Sequence, residues 1–93
     1  MEKKIENLTI FTKYQHLQVI LNYYLDEDML VQRDGFHFES IQITADCLSF
    51  LGKNGGDFTI NLKDYPEKCV NTDFQNFYIL RNNTSRLEIY FPL

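Results

Sequence analysis

The end of the chain holds the pattern that most narrows its fold. Phe77-Tyr78-Ile79-Leu80-Arg81 and Arg86-Leu87-Glu88-Ile89-Tyr90-Phe91 are separated by the polar residues Asn82-Asn83-Thr84-Ser85. Two strand-length runs of β-branched and aromatic residues joined by a short polar turn predict an antiparallel hairpin. A loop over 82–85 sets Leu80 opposite Leu87 and Tyr78 opposite Ile89, and those four share a core face with Phe91. Phe77, Ile79, Arg81, Arg86, Glu88 and Tyr90 fall on the other face. That second face is too rich in large apolar groups to be left wholly to water, so either another chain covers part of it or the sheet curls on itself.

Alternation continues upstream. Leu30 and Val31 run into Asp34-Gly35, a pair suited to a tight hairpin turn, and Phe36-His37-Phe38 returns. Phe36 and Phe38 share a face, yet Ile41 and Ile43 have the opposite parity, which calls for a bulge or break near Glu39-Ser40. Cys47 to Leu51 and Phe58 to Leu62 flank the turn Gly52-Lys53-Asn54-Gly55-Gly56-Asp57. Setting Gly52 opposite Asp57 places Leu51 across from Phe58, Ser49 from Ile60 and Cys47 from Leu62, and sends Leu48 and Phe50 to the other face. Lys63 to Asp73, with Pro66 inside it, reads as one long loop.

The first third reads differently. Ile5 to Phe11 alternates as a short strand, and Ile10, Tyr14, Leu17, Ile20, Leu21, Tyr24 and Leu25 then recur at helical spacing. Thr12-Lys13-Tyr14-Gln15 fits a capping box at the helix start. Asp26-Glu27-Asp28, unfavourable at a helix C-terminus, marks its end. Leu17, Val19, Leu21, Tyr23 and Leu25 also alternate, so a strand is the rival reading. The expected fold is a single α+β domain over residues 1–93. One N-terminal helix, residues 13–26, packs on a mostly antiparallel sheet of about five to six strands in the order β-α-β-β-β-β-β.

Composition bounds the function classes. Thirteen acidic against nine basic residues leave a net charge of −4, and no segment is a basic arm. Residues 34–73 set three lysines against seven acids. Nucleic-acid binding driven by counterion release is thereby disfavoured, and the acids are too sparse to imitate DNA. No apolar run opens the chain at the roughly 7–15 residues of a secretory signal, and none reaches the about 18 of a membrane span. The expected location is therefore cytoplasmic, with no membrane partner.

Chemistry-bearing residues are few. Cys47 and Cys69 form neither a CxxC pair nor a zinc set with histidine, and read as free thiols. Cys69, behind Lys68 in the expected loop, is the one candidate nucleophile. His16 reads as an exposed helical imidazole. His37 reads as a strand-surface group that can pair with Glu39. Asp26-Glu27-Asp28 with Asp34 lacks the spacing of a calcium loop, and Lys53-Asn54-Gly55-Gly56 lacks the phosphate-loop pattern. No metal, cofactor or catalytic residue is expected.

Arg81 and Arg86 fall opposite each other across the last hairpin, an arrangement that an acidic group or bound anion between them relieves. The eight Phe and six Tyr first fill the core, and Tyr23, Phe77 and Tyr90 are the aromatics expected off it. The contact surface is thus expected at Tyr23, Phe77, Ile79, Arg81, Arg86 and Tyr90. The leading expectation is a small non-enzymatic protein-interaction module of accessory, inhibitory or immunity type. It binds a protein partner or a second copy through a sheet edge or the aromatic outer face. One alternative is single-stranded nucleic-acid binding, with Phe77 and Tyr90 stacking on bases. The other is a small-molecule carrier or thiol enzyme using Cys69 or His37.

Overall fold

The computed structural model describes residues 1–15, 17–26, 28–53 and 56–92. Nine strands and two 3-10 turns account for its regular structure. The strands are β1 (Glu2–Lys4), β2 (Gln18–Leu25), β3 (Met29–His37), β4 (Ser40–Ile43), β5 (Cys47–Leu51), β6 (Phe58–Asn61), β7 (Glu67–Asn71), β8 (Phe77–Arg81) and β9 (Ser85–Tyr90). They form a six-stranded sheet in the order β1-β7-β8-β9-β2-β3 and a three-stranded sheet β4-β5-β6, every pair antiparallel. The expected α+β fold is overturned: among the described residues there is no α-helix, and two sheets enclose one apolar cluster.

The helix expected over 13–26 is a 3-10 turn, Thr9–Lys13, followed by β2. No capping box forms. The Thr12 hydroxyl donates to the Thr9 carbonyl, and the Gln15 amide donates to the Thr12 carbonyl. Gln18–Leu25 is apolar at nearly every position, so it satisfies both periods, and its β-branched and aromatic residues favour the extended chain. Tertiary context decides the matter, because β2 is hydrogen-bonded on both edges, to β9 and to β3. A helix there would leave β3 with no partner and β9 paired on one side alone, to β8. Upstream, the strand expected over Ile5 to Phe11 is absent: β1 ends at Lys4, and Thr9–Lys13 is the same 3-10 turn.

Three further expectations are corrected. Asp34 and Gly35 do not turn the chain: they lie inside β3, paired with Leu21 and Ile20, and the chain reverses between the paired residues Leu25 and Met29, with Asp26 at φ 54°. Glu27, like His16, Asn54 and Gly55, lies outside the described residues. The β5–β6 register is offset by one residue from the expected one, pairing Phe50 with Phe58 and Leu48 with Ile60. A one-residue slip exchanges the faces of a strand, so Leu48 and Phe50 are fully buried while the Ser49 and Thr59 hydroxyls bond outside at 3.0 Å. Gly52 permits this closure, since a Cβ there would sit 2.5 Å from the Gly56 carbonyl oxygen. Finally, the expected loop over Lys63 to Asp73 holds a 3-10 turn (Leu62–Asp64) and β7.

The last hairpin has the expected register, Leu80 opposite Leu87, Tyr78 opposite Ile89 and Arg81 opposite Arg86. The break expected near Glu39-Ser40 is the passage from one sheet to the other. The Phe38 N–H still reaches Leu17 beside β2, whereas the Glu39 N–H reaches Leu51 of β5. Between the sheets Phe11, Tyr14, Phe38, Phe50, Tyr78 and Phe91 form an aromatic cluster of mostly edge-on contacts, with Tyr14 stacked on Phe91 at 4.0 Å.

Candidate functional site

Five of the six residues expected at a contact surface come together. Phe77, Ile79, Arg81, Arg86 and Tyr90 lie on the outer face of β8 and β9, away from the inter-sheet core. Tyr23 does not join them. It shares strand parity with Val19 and Leu21 and packs against the core cluster. Ile79 is 3% exposed and so offers almost no surface. Phe77 and Tyr90 are half-buried, with ring centroids 6.2 Å apart. Phe74, 61% exposed and 5.5 Å from Phe77, extends their patch. An isolated phenylalanine between Asp73 and Gln75 is the signal that sequence reading passed over.

The two opposed arginines find the acidic relief their register demands. Glu2 of β1 accepts two hydrogen bonds from the Arg81 guanidinium, at 2.7 and 3.2 Å, and this contact holds the Glu2 carboxyl below its usual range. Arg86 lies over the Tyr24 ring at 4.3 Å, and its Nε is 3.4 Å from the Glu88 carboxylate without hydrogen-bond alignment. Glu2→Gln is expected to lower stability by about 0.5–1 kcal/mol at neutral pH, since the bidentate pair is partly exposed. A depressed folded pKa contributes stability that is present above the unfolded value and lost as pH falls through the folded one. Urea midpoints of the two proteins should therefore differ at pH 7 and converge in acid.

Cys69 lies on β7, not in a loop, and is 2% exposed. Burial, helped by Glu67, pushes its thiol up rather than down. Both cysteines are free. His37 is exposed on β3. Among the described residues there is no group of three or more metal-ligating side chains, and no helix is long and apolar enough to cross a membrane.

The sheet edges differ. β1 is short and charged, Glu2-Lys3-Lys4, as edges guarded against pairing usually are. β3 is nine residues long, with Met29, Leu30 and Val31 exposed at 58%, 47% and 44%. A bulge leaves Val31 out of the ladder between Tyr23↔Gln32 and Tyr24↔Leu30. Because the Phe38 N–H points to the β2 side and amides alternate along a strand, those of His37, Gly35 and Arg33 point away from β2. They have no backbone partner among the described residues.

Beside this edge the smaller sheet stops short of the larger one and leaves a cleft of about 210 Å³. Leu21, Ile60 and Leu87 give it an apolar floor, and Tyr23, Asp34, Asp64 and Tyr65 bring phenol and carboxylate groups to it. The consecutive residues Phe58 to Asn61 all border it, so β6 turns its backbone edge toward the opening. Burial, then the neighbouring Tyr23 phenol and Asp64 carboxylate, push the Tyr65 phenol up.

Compared with protein-family models, with curated proteins and with solved structures, the chain shows no significant match.

Proposed function

We propose that this protein is a protein-interaction module whose working element is the free edge of β3. The observation that carries the reading is the contrast between the two ends of one sheet. The β1 end is short and charged, while the β3 end presents a long strand with outward amides and three exposed apolar side chains. Such an edge is a template for strand addition, in which main-chain hydrogen bonds supply affinity and alternate side chains supply selectivity. The aromatic patch of Phe74, Phe77 and Tyr90 is the second surface available to a partner. Two unpaired thiols suit a reducing, cytoplasmic setting.

The rival readings draw less support. Stacking on single-stranded nucleic acid needs arginines free for phosphate, and Arg81 is held by Glu2 while Arg86 is beside Glu88. Thiol chemistry needs an accessible, acidified cysteine, and Cys69 is buried with its thiol pushed up.

Proline at an outward-facing amide removes a donor from the edge without breaking a bond to β2. Arg33→Pro is therefore expected to abolish capture of a stoichiometric protein from source-cell lysate, or any self-association seen by sedimentation. Arg33→Ala should retain both. Val31→Lys, which charges the edge and leaves the backbone alone, should act like the proline. Identical captured proteins and identical mass for all four would overturn the proposal.

A further inference from the structure

We infer that the cleft beside β3 receives a lysine or arginine side chain from an extended segment of a partner protein paired along that edge. The inference rests on the edge-strand reading and adds the chemistry of the partner. A strand added to β3 places every second side chain on the side where Gln32, Asp34 and Phe36 point, which is the side on which the cleft opens. The volume there, about 210 Å³, is below the roughly 300–1,000 Å³ of sites that take a whole small molecule. That suits one long side chain and not a folded element.

Charge selects which side chain. Asp34 and Asp64 both border the cleft, together with two phenols, and no Lys, Arg or His is among its described lining residues. Neither carboxylate makes a salt bridge among the described residues. Asp34 accepts one hydrogen bond, from the Gln32 amide at 2.6 Å, and nearby Lys63 is engaged with Asp46 at 3.7 Å. An incoming acid would meet two like charges. An incoming aliphatic chain would fill the floor of Leu21, Ile60 and Leu87 and leave the carboxylates without a counter-charge. A lysine or arginine satisfies both parts, its methylene stem on the floor and its charged head toward the acids at the border. The excess of acids over lysines across residues 34–73 gives the same preference at longer range.

The test uses short capped peptides of alternating valine and threonine with lysine, norleucine or glutamate at the centre, titrated into the whole protein and followed by backbone amide shifts. The lysine peptide is expected to bind with shifts on β3 and β6. The glutamate peptide should bind at least about tenfold more weakly, and Asp34→Asn with Asp64→Asn should erase that difference. Arg33→Pro should weaken the lysine and norleucine peptides alike. If lysine and glutamate peptides bind equally, and both depend on Arg33, the edge stands and the basic side chain is refuted. If no peptide binds and Arg33→Pro changes nothing, both fail. If a second copy already occupies the edge, sedimentation of the protein alone shows a dimer and the inference of a basic partner is overturned.

Discussion

Phe91→Ala is expected to cost about 3–5 kcal/mol, the range for removing a fully buried phenylalanine. Phe91 has no exposed surface. Its ring stacks on Tyr14 at 4.0 Å and meets Phe11, Phe38, Phe50 and Tyr78 with centroids 5.4 to 6.3 Å away. It therefore ties the larger sheet, the first 3-10 turn and the smaller sheet to one another. A domain of this size holds a net stability of about 5–15 kcal/mol, so the loss amounts to a large share of the whole. In thermal denaturation the midpoint should fall by about 12–40 °C. Phe74→Ala, at a 61% exposed site, should change stability by no more than about 0.5 kcal/mol. A Phe91→Ala cost below about 1 kcal/mol would mean that the two sheets do not share this core.

The second large effect is alkaline. The Tyr14 hydroxyl bonds to Tyr78 at 2.8 Å and to the Asn76 side-chain oxygen at 2.9 Å. Asn76, at φ 59°, donates in turn to the Phe91 carbonyl. Burial pushes the Tyr14 phenol well above its ordinary value, and its bond to Tyr78 adds to the shift. An unfolded tyrosine ionises near pH 10. Above that pH the unfolded chain sheds a proton that the native one keeps, so stability falls as pH rises. Tyr65 and Cys69 are shifted in the same direction, and the decline should begin near the ordinary thiol value of about 8.5. Urea midpoints measured from pH 8 to 11 should fall throughout, with the steepest part above 10 in the native chain and a shallower one in Tyr14→Phe. At neutral pH that variant should cost about 1–3 kcal/mol, because Tyr78 and Asn76 lose a buried partner. Equal slopes for the two proteins would show that Tyr14 ionises freely in the folded state.

How far the fold can be read from the letters varies along the chain, and the variation has a physical source. Where apolar and polar residues are clearly sorted by parity and the turn is short, as in β8 and β9, only one register buries Tyr78, Leu80, Leu87 and Ile89 together. In Gln18–Leu25 the residues are apolar at nearly every step, because the inner face packs in the core and the outer face is half-covered. A segment covered on both sides carries no period. The Asp34-Gly35 pair carries a local turn preference that pairing along the whole of β3 overrides. In the β5–β6 hairpin, local closure allowed two registers one residue apart. The burial of Leu48 and Phe50 against Phe38 and Phe91 selected between them.

The candidate surfaces divide along the same line. The opposition of Arg81 and Arg86 is legible in the sequence because it depends on one hairpin. Its relief by Glu2 is not, since that contact joins residues 79 positions apart. Tyr23 was expected outside only because the helix period assigns the wrong face. The cleft was invisible, being the space left where a three-stranded layer covers part of a six-stranded one.

By itself, then, the sequence determined the last hairpin, its register and faces, the strand character of Cys47–Leu51 and Phe58–Asn61, and the acidic balance of residues 34–73. Tertiary structure alone decided that Gln18–Leu25 is a strand, that the chain divides into two sheets at Phe38-Glu39, and that β3 ends one of them beside an acidic cleft. Local propensities differ by about 1 kcal/mol or less per residue. Pairing both edges of a strand and burying a face of it involve many such increments at once, so where the two disagree the long-range terms prevail.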